Sequence, residues 1–370
     1  YLEKHRGTLT TQAQTKQNNR TGEFALREAE IWSSLALTAD GEFEYADDRL
    51  EHAWKTLLFN QFHDILPGSS VTDVYADADR DYEQVFEDTE DVTQQALDTL
   101  FNPSDSGATI CVTNSLPWQR SPVVEVDTDQ VPVDDEAVAA VAADGDDETL
   151  FPVQPSGTES DSLVFQPQSL PAFGAKSFEF VPAPDQQDSS PLKATPSSLE
   201  NNRIHVALND EGTISAYDKV ADRQLFDGTG NRLVSYRDQP NQWDAWDIDG
   251  DIYDVGEDLP APTDVSVIED GPVRATVRQT REYGNSTITQ DITIHRDSAQ
   301  IDFKTSVDWD EEERLLKAHF PMAVHTSKAT YDIQFGHIER DTTENTSWEA
   351  AQFEEPHHQW VDVSEYDYGT

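Results

Sequence analysis

The spacing of apolar residues changes at about residue 103, and this change divides the chain into two structural classes. Before it, Gly and Pro are sparse and apolar residues recur every three or four positions, as at Leu26, Ala29 and Trp32. That is the period of an amphipathic helix. After it, segments such as 274–278 and 287–294 alternate between apolar and polar residues, which indicates half-buried strands. The sequence therefore predicts helices followed by an all-β region.

Three apolar stripes with short connections predict a three-helix bundle over residues 1–103. The strand-rich remainder predicts a small β-domain over 104–182, a linker rich in Pro, Ser and Asp over 183–198, and a large antiparallel β-sandwich over 199–370. Within the sandwich, Gly284-Asn285 joins two alternating runs and predicts a hairpin. The predicted fold class is α plus all-β, multidomain. Because the sequence begins with Tyr1 rather than Met and its last residues, 366–370, resemble a strand and turn rather than a tail, we expect a fragment with a truncated sandwich.

The net charge of −48, from 73 acidic against 25 basic residues, limits the partners of the chain. No basic patch is available for nucleic acid or for an anionic membrane, and no apolar run approaches the ~20 residues of a membrane helix. Eight Trp, eleven Tyr and sixteen Phe supply enough apolar area for folded cores. The acidity is typical of a halophilic protein that works in molar salt, and we expect a high-salt cytoplasm. Cys111 is the sole cysteine, which excludes an internal disulfide.

The segment from Leu58 to Ser70 contains the residues with the clearest chemistry. If the second helix runs to Ile65, then Asn60, His63 and Asp64 share one partly buried face. Such a polar face fits a bound cation or sugar hydroxyls. It equally fits a buried histidine that donates to a backbone carbonyl, beside an aspartate that caps the next turn. The residues alone favour the second interpretation, because one His and one Asp do not complete a zinc site.

The same segment resembles the motif of the glycoside hydrolase family 38 α-mannosidases, a Gln-x-His-Asp core followed by a Gly-Ser or Gly-Thr turn. The resemblance covers nearly the whole chain, in order, and is to the microbial and cytosolic type. Further segments similar to this family are Tyr1–Gln12, Leu26–Glu30, Val112–Trp118, Leu170–Gly174, Leu199–Ile214, Asn241–Asp249 and Ile333–Arg340.

The resemblance implies a retaining hydrolase of terminal α-mannosides, in which two aspartates flank the scissile bond and a zinc ion is bound by two His and two Asp. Of those ligands only His63 falls within this chain, and Asp64 matches a position that contacts the substrate. The nucleophile, the acid/base and the other ligands belong to an N-terminal α/β domain whose motifs this sequence lacks. We therefore expect no catalytic residue here, no activity from the chain alone and, as in many relatives, a homo-oligomer.

Two further groups are weaker candidates for substrate contacts. His5 and Arg6 open the helical domain and fit either the cleft or the surface. One loop combines indole rings that can stack on sugar faces with carboxylates that accept from hydroxyls. A buried aromatic plug between sheets is the preferred alternative for this loop. Its residues are Trp243, Asp244, Trp246 and Asp247.

Two other functions remain open at the level of sequence. One is a stand-alone carbohydrate-binding or scaffold module without a catalytic domain. The other is a related hydrolase that acts on mannosylated small solutes. The residues upstream of Tyr1 would distinguish these alternatives.

Overall fold

Three long helices open the fold and are followed by antiparallel sheets. The helices of this first part are α1 (Ala13–Ala39), α2 (Asp47–Asn60) and α3 (Thr72–Phe101), preceded by a 3-10 helix at Gly7–Leu9. The computed structural model describes residues 4–101, 109–128, 131, 138–142, 149–159, 161–182, 190–244 and 246–369.

The three helices pack around one apolar core. Leu26 of α1, Leu57 of α2 and Tyr82 of α3 are fully buried between them, which confirms the three-helix bundle. The apolar stripes of the sequence face this core because residues three and four apart lie on the same side of a helix.

Helix α2 ends at Asn60, so the prediction of a helix through Ile65 was wrong. The amides of Gln61 and Phe62 bond to carbonyls three residues back, and the chain leaves the helix in tight turns. Gly68 closes this segment with a φ of +90°, and a Cβ there would lie 2.5 Å from the carbonyl oxygen of Thr11. Gly68 thus packs so closely against the segment before α1 that a side chain would not fit there.

A six-stranded antiparallel sheet forms the small β-domain, in the order β1-β6-β3-β4-β5-β2. Its core contains the fully buried rings of Phe165 and Phe178, 5.3 Å apart and edge to face. The strands are β1 (Thr109–Asn114), β2 (Val124–Asp127), β3 (Val138–Ala142), β4 (Leu150–Pro155), β5 (Ser162–Phe165) and β6 (Gly174–Pro182).

Two antiparallel sheets pack face to face as the large sandwich. The first has the order β11-β10-β9-β8-β7 and the second the order β14-β15-β16-β17. Their facing side chains, among them Ile204, Ile214, Val277 and Ile292, are fully buried. The strands are β7 (Lys193–Thr195), β8 (Ser198–Glu200), β9 (Ile204–Leu208), β10 (Ile214–Asp218), β11 (Arg223–Gln224), β14 (Asp264–Asp270), β15 (Arg274–Tyr283), β16 (Ser286–His295) and β17 (Ile301–Asp308).

Three smaller sheets complete the C-terminal part, in the orders β13-β12-β18, β20-β19-β21 and β22-β23. A 3-10 helix at Gly250–Val255 and α4 (Ser347–Ala350) lie between their strands. The strands are β12 (Arg232–Arg237), β13 (Gly256–Asp258), β18 (Arg314–His319), β19 (Lys328–Ile333), β20 (Gly336–Asp341), β21 (Val361–Asp362), β22 (Ser364–Glu365) and β23 (Tyr368–Gly369).

The predicted linker over 183–198 is only partly a linker. Its second half contains β7, which pairs with β8, and Leu192 is 5% exposed in the sandwich core. The boundary predicted at 103/104 falls among residues outside the described part, as do 183–189. The domain limits therefore stay a prediction.

Hydrogen bonds around a buried ion pair of the β14–β15 hairpin join the small β-domain to the sandwich. The Glu269 carboxylate is fully buried, lies 2.7 Å from the Arg274 guanidinium and accepts from the amide of Gly157 at 3.0 Å. The Gln154 amide oxygen accepts from the amide of Val273 at 2.8 Å. These contacts fix the edge of the small domain against the β14–β15 hairpin.

Candidate functional site

The loop at 61–70, which follows α2, presents His63 and Asp64 to solvent. The side chain of His63 is 78% exposed and that of Asp64 is 48% exposed, with Nε2 of the imidazole 3.6 Å from a carboxylate oxygen. The Phe62 ring lies 4.2 Å from the imidazole centroid and is itself exposed. The predicted partly buried helix face was therefore wrong, because only Asn60 is buried and the other two residues lie beyond the helix end.

Gln61 fixes the start of this loop to α1. Its amide nitrogen donates to Asn19 Oδ1 and to Glu23 Oε1, both at 3.0 Å. Asn19 is 7% exposed and in turn donates to Glu23 at 3.2 Å. Because Gln61 stands two residues before His63, this network restricts where the imidazole can lie.

Two further side chains hold the second half of the loop. Lys16 donates to the carbonyl of Leu66 at 2.9 Å, and its burial lowers its pKa to about 8. The Tyr75 hydroxyl accepts from the amide of Ser70 at 2.8 Å and lies 3.4 Å from the carbonyl of Asp64. The loop is thus anchored at both ends to the bundle.

The segment that enters α1 packs against the loop that contains Trp243 and Trp246. The amide of Gly7 donates to the carbonyl of Trp246 at 2.9 Å, and the His5 ring lies 5.1 Å from the Trp246 ring. Arg6 lies 3.2 Å from the Asp247 carboxylate. Four of the predicted residues, separated by about 240 positions, are therefore in direct contact.

The preferred interpretation of that loop as a buried aromatic plug was wrong. The Trp243 side chain is 55% exposed, and its carbonyl accepts the amides of Trp246 and Asp247, so the segment is a surface turn. Asp244 is exposed too, and Ala245 lies outside the described residues. An exposed indole beside a carboxylate can stack on a sugar face and accept from its hydroxyls.

Behind this loop lies a cavity of about 860 Å³ with both aromatic and charged walls. Arg6, Tyr253, His319 and Phe353 are among its lining residues, and the guanidinium of Arg6 stacks 4.3 Å from the Phe353 ring. Burial and the nearby cations lower the pKa of His319, whose Nε2 lies 2.8 Å from the hydroxyl of Tyr236. The cavity thus combines charged, polar and aromatic side chains beside the Trp246 loop.

The described residues bring together no group of three His, Cys, Asp or Glu side chains that could hold a metal. His63 and Asp64 could supply one part of such a site, because the imidazole is accessible and a carboxylate lies next to it. Further ligands would have to come from elsewhere.

Sequence reasoning missed the residues that position this loop, above all Gln61, Asn19, Glu23 and Lys16. A signal was present, since Asn19 and Glu23 are polar residues four apart on α1, at positions close to its apolar stripe. A polar pair on such a face needs partners, and Gln61 supplies them.

Two protein families match the chain in the order of its parts. Residues 3–100 match the family described as "Alpha mannosidase middle domain", and residues 199–370 match "Glycosyl hydrolases family 38 C-terminal domain". The chain thus consists largely of an α-mannosidase middle domain and a family 38 C-terminal domain, which confirms the resemblance noted in the sequence.

Curated relatives bear the name α-mannosidase. The chain is 32% identical over 376 residues to "Alpha-mannosidase 2C1" of Homo sapiens, with 100% of this chain and 34% of the relative covered. It is 30% identical over 416 residues to "Alpha-mannosidase G" of Dictyostelium discoideum, with 100% and 36% covered. The chain therefore spans about a third of the length of these relatives.

A solved structure has the same fold. The crystal structure of an α-mannosidase from Enterococcus faecalis V583 superposes with a TM-score of 0.79 at 17% identity, over 99% of this chain and 49% of that one. Among the residues that our structure describes, no helix is both long and apolar enough to cross a membrane.

Proposed function

We propose that this chain supplies one wall of the active site of a zinc-dependent, retaining α-mannosidase that hydrolyses terminal α-mannosides. In this proposal His63 is one zinc ligand and Asp64 accepts hydrogen bonds from sugar hydroxyls. The observation that supports it most directly is the exposed His63–Asp64 pair on an anchored loop, within a chain that matches two α-mannosidase domains.

The chain's own residues contribute binding and orientation. Gln61 and Lys16 hold the loop, so the imidazole and the carboxylate meet a ligand in a fixed arrangement. The exposed Trp243 ring and the Asp244 carboxylate would bind a sugar from the side of the sandwich. A zinc ion bound through His63 would act as a Lewis acid toward the substrate's hydroxyl oxygens.

The chemical centre would come from another part of the full-length protein. A retaining mechanism needs two carboxylates about 5 Å apart on either side of the scissile bond, and we assign neither to this chain. The chain alone should therefore be inactive. The proposed substrate class is supported by the relatives described above, which are named as α-mannosidases.

Replacement of His63 by alanine in the full-length protein tests the proposal. We expect bound zinc and hydrolysis of 4-nitrophenyl α-mannoside to be lost together, because zinc needs its three or four protein ligands. The matched control is His52→Ala, which removes another exposed histidine, on α2, and should leave both properties unchanged. Full zinc content and full activity in His63→Ala would refute the assignment.

A further inference from the structure

A cavity between α1, the loop at 61–70 and the segment 356–358 has basic but no acidic residues in the described part of its lining. Its volume is about 460 Å³, and its basic residues are Lys16, Arg20, His357 and His358. Because the chain has 73 acidic residues among 370, a lining of this size would by chance include about two of them. The cavity therefore differs in charge from the chain as a whole.

Lys16 brings to this cavity a positive charge that no neighbouring carboxylate neutralises. Among the residues that the structure describes, no carboxylate oxygen lies within 4.0 Å of its Nζ. The ammonium donates to the carbonyls of Thr11 and Leu66, which leaves one of its three N–H groups unused. Burial lowers its pKa to about 8, so the amine is mostly protonated at pH 7. An anion in the cavity would accept from the third N–H and compensate the partly buried charge.

Arg20 adds further donors to the same lining. One of its nitrogens donates to the Glu23 carboxylate at 2.7 Å, and the guanidinium makes no other hydrogen bond within the described ranges. A guanidinium has five N–H groups, so most of those of Arg20 are available to a ligand. The Glu23 carboxylate, which does not line the cavity, also accepts from Asn19 and Gln61. Arg20 therefore keeps its capacity to donate despite the ion pair.

The two histidines lie on a segment whose backbone is fixed from behind. The Asp332 carboxylate accepts from the successive amides of residues 358–360, at 2.9 to 3.1 Å. The side chains of His357 and His358 are exposed, and neither has a hydrogen bond or an ion pair to a described residue. Imidazole N–H groups are therefore presented to the cavity without a protein acceptor.

The size and the apolar part of the lining indicate a ligand larger than a free ion. An inorganic oxyanion, comparable to a few water molecules of about 30 Å³ each, would fill only part of the volume. Leu9, Leu66, Pro67 and Pro356 contribute apolar surface that can contact an organic group. The lining thus combines donors for an anion with surface for the body of a small molecule.

We propose that this cavity binds the phosphate group of a small organic phosphate such as a hexose phosphate. The terminal oxygens of a phosphate accept from several donors at once, and its two charges match a lysine and an arginine better than one carboxylate charge does. The apolar residues then contact the organic body of the ligand.

The test is ³¹P NMR of glucose 6-phosphate and of inorganic phosphate in the presence of the whole chain. Molar sodium chloride screens non-specific attraction, so only a structured site competes for the ligand. We expect the protein to broaden the resonance of glucose 6-phosphate. Broadening of both resonances supports a site that needs the phosphate group alone, and broadening of glucose 6-phosphate only supports a site that also binds the sugar.

Arg20→Gln should weaken binding by about tenfold or more, because charge-assisted hydrogen bonds are lost. The matched control is Arg80→Gln, since Arg80 also pairs with a carboxylate three residues away on a helix but lies outside the cavity. If Arg20→Gln does not fold, His357→Gln combined with His358→Gln replaces it, because both side chains are exposed. No broadening of either resonance by the unaltered protein would overturn the proposal, as would equal affinity of the cavity variant and Arg80→Gln.

Discussion

Gln61 determines where His63 and Asp64 lie, although we assign it no contact with metal or substrate. Its amide bridges two acceptors on α1, and the loop leaves α2 immediately after it. A hydrogen bond to a charged acceptor such as Glu23 is worth more than one between neutral groups. The orientation of the site therefore depends on a residue two positions from the histidine.

Gln61→Leu should lower the free energy of unfolding by about 1–3 kcal/mol, because it leaves the buried Asn19 Oδ1 without its donor and removes one of the two donors to Glu23 Oε1. Urea denaturation measures this change. Gln94→Leu is the matched control, since Gln94 bonds Asp98 on the exposed face of α3 and its loss should cost no more than about 0.5 kcal/mol. Equal effects of the two substitutions would contradict the anchoring role.

The sequence identifies His63 and Asp64 as candidate site residues, but it does not predict how far their side chains are exposed to solvent. The run of apolar residues around them favours a longer helix, whereas the chain leaves α2 at Asn60 and Gln61 bonds to α1. Such a contact joins residues far apart in sequence, so no local pattern contains it. Whether these two residues bind zinc and sugar stays a prediction.

At the level of elements, the β14–β15 hairpin is the part of the sandwich that bonds to the small β-domain. Glu269 at one end of the hairpin is fully buried and bonds to Arg274, Thr276 and Gly157. Removing Glu269 would leave Arg274 with only the more exposed Glu125 carboxylate, 3.3 Å away, as its counter-charge. The Glu269 carboxylate therefore contributes both to the hairpin and to its contact with the small domain.

Glu269→Leu should destabilise the protein by up to about 3–5 kcal/mol, because Arg274 loses its buried counter-charge and keeps only the more exposed Glu125 carboxylate. Thermal and urea unfolding measure the loss. The control is Glu159→Gln, whose partner Lys304 is exposed, and an exposed pair contributes only about 0–1 kcal/mol. A loss at Glu269 no larger than that of the control would argue against a stabilising role for this carboxylate.

Most helices and strands could be predicted from the period of the apolar residues and from the residues typical of turns. The hairpin at Gly284-Asn285 is confirmed, with Tyr283 paired to Ser286 across a two-residue turn and Gly284 at a φ of +58°. Strand β7 was missed because its three residues, Lys193–Thr195, become a strand only through pairing with β8. Short strands of this kind are stabilised by neighbours rather than by their own sequence.

For the whole molecule, the net charge of −48 dominates the long-range energetics. At about 1 M salt the Debye length is about 3 Å and the repulsion between surface carboxylates is largely screened. At about 0.01 M salt the Debye length is about 30 Å, and repulsion among the carboxylates destabilises the compact state. Adaptation to high salt stays a prediction until this is measured.

Dialysis from molar sodium chloride to low salt should therefore reduce the far-ultraviolet circular dichroism of the chain. Titration with sodium chloride should restore the signal. The same dialysis in a neutral osmolyte separates charge screening from preferential exclusion, because sucrose does not screen charges. An unchanged spectrum at low salt would refute the halophilic interpretation.

The hydrogen bond from Gly7 to the carbonyl of Trp246 joins residues at opposite ends of a long stretch of chain. During translation the helical bundle can fold as soon as its own residues emerge, because its contacts are local. His5 and Arg6 cannot form their contacts until more than half of the chain has been synthesised, because their partners Trp246 and Asp247 are translated later. The contact between the segment before α1 and the Trp246 loop is thus formed late in synthesis, and a chain that stopped before Trp243 would lack it.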